Sequence, residues 1–161
     1  MRHTLVLVPV DAAMAGELAA GRSLPGPLAG FMANAALAQT FGLAEPGDDQ
    51  AEYAALQVAQ VAGLARYGCR LVLTAQVDEA AVLGPDEAEA HNGGVLLPGL
   101  APRAVEAFFA PDAPDASQLA AGVAGLEVDD AWASPGVTGL LADAPLAWHD
   151  VTELPQWLGV M

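Results

Sequence analysis

The sequence contains no lysine, and its five basic residues are all arginines: Arg2, Arg22, Arg66, Arg70 and Arg103. Against them stand twenty Asp and Glu residues, for a formal net charge of −15. A surface so poor in positive charge repels phosphate backbones and anionic lipid heads, which argues against direct nucleic-acid or membrane binding. Cysteine is nearly absent too. A lone Cys69 rules out an intrachain disulfide and agrees with a reducing compartment. Long apolar runs are missing: Leu5 to Val10 is ended by Asp11, too short for a signal-peptide core, and nothing approaches the ~20 residues of a membrane span. A cytoplasmic location is the expectation. Aromatic residues are only 6%, which leaves the core to Leu, Val and Ala.

The signatures of familiar chemistry are also lacking. No Gly-rich loop leads into Lys and Ser/Thr, no Gly-x-Gly-x-x-Gly follows the first strand, and no Gly-x-Ser-x-Gly elbow occurs. One Cys and three His, dispersed along the chain, give no transition-metal ligand set, and no cofactor is implied.

What is present suits an ordinary globular fold. The 161 residues, 54% apolar, fit a single domain spanning 1–161 with a core large enough to need no staple. Leu5 to Val10 and Leu71 to Val77 are β-branched, apolar runs of the kind that form buried strands. Between them, Ser23-Leu24-Pro25-Gly26 reads as a turn. Leu28, Phe31, Ala35, Ala38 and Phe41 recur at helical spacing. Asp49, with Glu52 three places on, resembles a capping box opening a long helix closed by Gly68. Tyr53, Leu56, Leu64 and Tyr67 are the expected buried face of that helix.

Strand, helices, strand predicts that the first two strands are parallel and joined by a helical crossover. Short strands are expected at Val95 to Leu97, Val105 to Ala110 and Leu146 to Val151, with Asp115 capping a helix to Val123. The fold class predicted is α/β (α+β being the alternative), with a mixed sheet of about five strands.

Individual polar residues read mostly as structural. His3 falls in a frayed strand start. His91, near Glu87 and Glu89, falls in a Gly-rich turn, and the pairs Asp48-Asp49 and Asp129-Asp130 suit caps and solvated faces. Trp148 is expected as a core anchor, with His149 on the opposite face. Glu52-Tyr53 reads as cap plus core, the alternative being a polar pair projecting toward a cleft.

The order of several segments resembles a known family. These are Val8-Pro9-Val10, Leu18-Ala19-Ala20-Gly21, Leu24-Pro25-Gly26-Pro27-Leu28 and Asn34-Ala35-Ala36-Leu37. They continue with Glu52-Tyr53-Ala54-Ala55-Leu56, Arg70 through Val77 and Leu146 through Pro155. Together they resemble small acidic proteins of an actinobacterial domain of unknown function. The stretches 78–94 and 127–144 depart from that pattern. The resemblance implies a bacterial cytoplasmic protein and no particular substrate.

Three functions are compatible with these features. The first is a non-catalytic interaction or regulatory module with an acidic surface, whose partner is a basic protein or a second copy of itself. The second is a small-molecule binding domain or enzyme. Its site would lie beyond the carboxyl ends of the parallel strands, at Asp11, Gln76 and Asp78, with Glu52 as a further candidate. The third is a DNA mimic that occupies a basic cleft.

Overall fold

The computed structural model describes residues 2–112 and 117–159. Seven strands form one sheet: β1 (His3–Val10), β2 (Leu24–Phe31), β3 (Leu71–Asp78), β4 (Gly84–Pro85), β5 (Gly94–Leu100), β6 (Val105–Ala110) and β7 (Ala147–Asp150). Their order is β4-β5-β2-β1-β3-β6-β7 and every pairing is antiparallel.

The expected mixed, five-stranded sheet with parallel first strands is therefore incorrect. β1 and β3 are neighbours, but they run in opposite directions, from His3 opposite Asp78 to Val10 opposite Leu71. The cause is β2. The segment read as a turn and a helix start crosses the sheet once more, so the chain reaches β3 travelling the other way. The helical crossover exists, but it joins β2 to β3, the strands that flank β1.

β2 (LPGPLAGF) holds two prolines and two glycines and still pairs with β5. A register shift between Pro25 and Leu28 absorbs Gly26-Pro27, as a bulge does. Gly26 is required there, since a Cβ would lie 2.2 Å from the Pro98 carbonyl oxygen.

Among the described residues seven α-helices cover the sheet: α1 (Ala12–Ala19), α2 (Ala35–Thr40), α3 (Asp49–Tyr67), α4 (Ser117–Val123), α5 (Val128–Trp132), α6 (Val137–Asp143) and α7 (Leu154–Trp157). The expected cap at Asp115 lies outside the described residues. Alternation along the strands sorts side chains into two cores. Val6, Val8, Val10, Leu71, Leu73 and Phe108 join α1 and α7 on one face. Leu7 and Val72 face α3 on the other, and α4 to α6 pack behind it.

α3 begins one residue earlier than the expected capping box. Asp48, not Asp49, is the N-cap, and its carboxylate accepts from the Ala51 amide at 2.9 Å. Glu52 is thereby freed from any capping role. The buried face of α3 is built from Ala51, Ala54, Ala55, Val58, Ala59, Ala62 and Leu64 rather than from its tyrosines. Small side chains let the helix approach the sheet closely. At Gly63 the approach is tightest: a Cβ would lie 2.8 Å from the Cys69 carbonyl oxygen. Gly68, at φ 72°, ends the helix in the left-handed conformation that suits glycine.

Candidate binding cleft

α3 lies tight against the sheet near Gly63 and stands off it near Glu52. The gap is a cleft of about 540 Å³, floored by β1, β3, β6 and β7 and walled by the first turns of α3. Its floor follows from strand register. Leu5 pairs with Gln76, Leu7 with Thr74, and Phe109 with Trp148, so these side chains rise from the same face.

Glu106 reaches this face through an irregularity. Plain alternation would set Glu106 beside Phe108, on the opposite face. The β3–β6 register shifts between Thr74, opposite Ala107, and Ala75, opposite Val105. Glu106 is the extra residue, and the bulge turns it into the cleft while Val105 joins the core behind. Thr74, buried beside it, donates its hydroxyl to the Ala107 carbonyl at 3.3 Å, so that hydroxyl is committed to the bulge.

The walls are aromatic. Tyr53 and Trp148 are each 60% exposed, and both line the cleft. Gln57 Nε2 donates to the Tyr53 hydroxyl at 2.9 Å, one helical turn on, which orients the ring. Trp148 is thus not the core anchor expected from the sequence. Its neighbour His149 takes the inward place instead, stacking on Phe108 with ring centroids 4.9 Å apart.

Glu52 lies between this cleft and a smaller cavity of about 300 Å³ that reaches His3 and Phe31; Leu5, Leu7 and Gln76 border both. Partial burial pushes the Glu52 carboxyl above its ordinary pKa, and the charges of Asp49 and Asp48 add to the effect. A helix N-terminus by itself favours a carboxylate. Here desolvation and two like charges outweigh it. Among the described residues, neither the Glu52 nor the Glu106 side-chain carboxylate has a hydrogen-bond or ion-pair partner.

Of the four residues expected at a site, the fold brings Glu52 and Gln76 together on the cleft. Asp11 accepts from the Met14 amide at 2.8 Å and caps α1. Asp78 accepts from the Ala80 amide at 3.0 Å and caps the 79–81 turn. Antiparallel pairing places Asp11 at the far end of the sheet from Gln76 and Asp78, roughly 20 Å away along an eight-residue strand. The strand ends that were expected to form one edge are opposite edges. Trp148, expected in the core, lines the cleft instead, and Tyr53 stands there beside Glu52 as the alternative reading of that pair had it. Glu106 had no sequence signal, because a bulge leaves none.

A second polar cluster ties the 79–93 loop to α5. Glu89 is buried and accepts from the Val128 amide and from Asn92 Nδ2, each at 3.0 Å. Asn92 Nδ2 also donates to Asp129 at 3.0 Å, and His91 Nε2 lies 2.6 Å from the same carboxylate. The Asn92 hydrogen bond, then that of His91, hold the Asp129 carboxyl below its usual range. The cluster clasps two segments together, while His91, Asp129 and Asp130 remain exposed, as expected of a turn and an acid pair in solvent. Among the described residues no group of three or more His, Cys, Asp or Glu is arranged to hold a metal ion.

Fold and cleft together define an α/β protein carrying an open, carboxylate-bearing, aromatic-walled cleft on one face of an antiparallel sheet. The chain belongs to a family of unknown function, DUF6912, whose model matches residues 4–158. No curated protein and no solved structure matches it. No helix among the described residues is long and apolar enough to cross a membrane.

Proposed function

We propose that the protein is a non-catalytic binding module of the cytoplasm, and that the cleft between α3 and the β1-β3-β6-β7 face is its working surface. One observation carries this reading: the two most exposed aromatic side chains among the described residues, Tyr53 and Trp148, line the same cavity. Leaving two large apolar surfaces in water forgoes a few kcal/mol of burial, of the order of 25 cal/mol per Å². A ligand that covers both recovers it. The cavity volume falls within the few-hundred-Å³ range of small-molecule sites.

The lining supports binding rather than catalysis. Among the described residues it offers no Cys, Ser or His as a nucleophile, and the Thr74 hydroxyl is held by the backbone. The acidic surface then serves attraction of a positively charged partner over distance. A fragment screen read by ¹⁵N amide shifts tests the proposal. Hits should cluster on residues 52–56 and 146–149 and should be lost in Trp148→Ala. A library with no hit there, or hits indifferent to Trp148→Ala, would count against it.

A further inference from the structure

We infer that the cleft takes a small organic cation, an ammonium head on an apolar body, seated between Tyr53 and Trp148 with Glu52 and Glu106 as its counter-charges. This rests on the cleft being the binding surface, and it names the ligand class.

The charge of the lining selects the sign. Glu52 and Glu106 are its only ionisable groups apart from the Tyr53 phenol, and it contains no Arg or His. Arg2 faces Glu79, Arg22 pairs with Glu17, and Arg66 lies 3.6 Å from Asp86, while Arg103 does not line the cleft. Arg70 is buried and donates to Gln60 at 3.1 Å and to the Ala144 carbonyl at 2.6 Å. Among the described residues, neither cleft carboxylate is paired with a cation. A carboxylate or phosphate ligand would meet two like charges in a partly desolvated space, where repulsion exceeds its value in water.

The walls select an organic ion over a hydrated metal. Indole and phenol faces attract cations through the ring quadrupole, Trp most strongly. A metal ion would need oxygen ligands converging on one point. Here the two carboxylates arise from different elements, the start of α3 and the β6 bulge, and Leu5, Leu7, Leu56, Phe109 and Leu146 cover much of the remaining lining. That surface gains nothing from a hydrated ion and matches an alkyl or aryl body.

Three probes of similar size test the inference on the full chain: benzyltrimethylammonium, neutral benzyl alcohol and anionic phenylacetate. Each is titrated by ¹⁵N amide shifts and calorimetry at low salt. The cation is expected to shift residues 52–56, 106 and 146–149, with affinity about tenfold above either of the others. Glu106→Gln, on an exposed position, and Trp148→Ala should each weaken the cation about tenfold, with Glu106→Gln leaving benzyl alcohol unchanged. If benzyl alcohol binds the cleft as tightly as the cation and Glu106→Gln alters neither, the cation inference is wrong and the binding cleft stands. If no probe shifts the cleft residues, the inference fails and the cleft loses its support as well.

Discussion

Trp148 lies directly opposite Phe109 across the β6–β7 pair, yet Phe109 is half-buried under neighbouring side chains while Trp148 stands 60% exposed over the cleft. The adjacent pair, Phe108 opposite His149, points to the other face, where Phe108 is fully buried. Core and cleft are thus separated along two consecutive residues of each strand. Trp148→Ala should cost about 2 kcal/mol or less, because more than half of its surface stays in water on folding. Phe108→Ala should cost about 3–5 kcal/mol, the range for a buried aromatic. Urea denaturation of the two variants is the check, and equal losses would place Trp148 in the core after all.

Gly63→Ala offers a test of how tightly α3 seats. In a solvent-exposed helix the change would stabilise by about 1 kcal/mol. Here the new methyl would lie 2.8 Å from a backbone carbonyl oxygen, closer than such contacts occur. The sign should reverse, with a lower denaturation midpoint than the parent. A stabilised Gly63→Ala would mean that the helix does not rest on the turn at Cys69.

Glu52 should work against the stability of the free protein. Its folded-state pKa is raised, chiefly by burial and then by Asp49 and Asp48, while Glu106, Tyr53 and His3 are the other titratable residues bordering the two cavities it separates. A carboxyl with a raised folded pKa holds its proton more tightly in the folded state. Its penalty therefore grows as pH rises from the unfolded value, about 4.3, through the folded one, and is complete above it. Glu52→Gln should be more stable than the parent at pH 7, with the gap closing toward pH 4. Denaturation midpoints across that range decide it. A parent more stable than Glu52→Gln at neutral pH would give Glu52 a structural partner that the fold does not provide.

Asp129 should show the opposite dependence. Its pKa is lowered by Asn92 first and by His91 next, so the stability it contributes is present above the ordinary carboxylate value of about 3.9 and is lost as pH falls through the folded value. Asp129→Asn should be less stable than the parent at pH 6, and the difference should shrink as pH falls through the folded-state value. A constant difference at every pH would mean that the carboxylate charge plays no part in the clasp between the 79–93 loop and α5.

The parts of the fold legible in the sequence were those where one physical signal dominates. The β-branched runs of β1 and β3, the length of α3 and its Gly68 terminus, and the short strands β5, β6 and β7 all fall close to where pattern places them. β2 was hidden because Pro25, Gly26 and Pro27 are turn formers by local chemistry. Leu28 and Phe31 also continue into Ala35 and Ala38 at helical spacing, and only tertiary pairing with β5 overrides that. That one traverse reverses the direction of β3 and sets Asp11 at the opposite end of the sheet from Gln76 and Asp78.

Glu52 and Gln76 were legible as polar residues at an element start and a strand end. Trp148, and Tyr53 on its core reading, were not placed correctly, because aromatic residues at helical or strand period usually turn inward, and here a ligand-sized gap takes the place of a packed neighbour.

The most direct measurement of the cleft's role is acrylamide quenching of Trp148 fluorescence in the double variant Trp132→Phe, Trp157→Phe, with and without saturating benzyltrimethylammonium. A cleft that binds between Tyr53 and Trp148 requires strong quenching of the free protein and marked protection once the cation is bound. Quenching unchanged at saturation, or a Trp148 already shielded in the free protein, would contradict a binding site at this place.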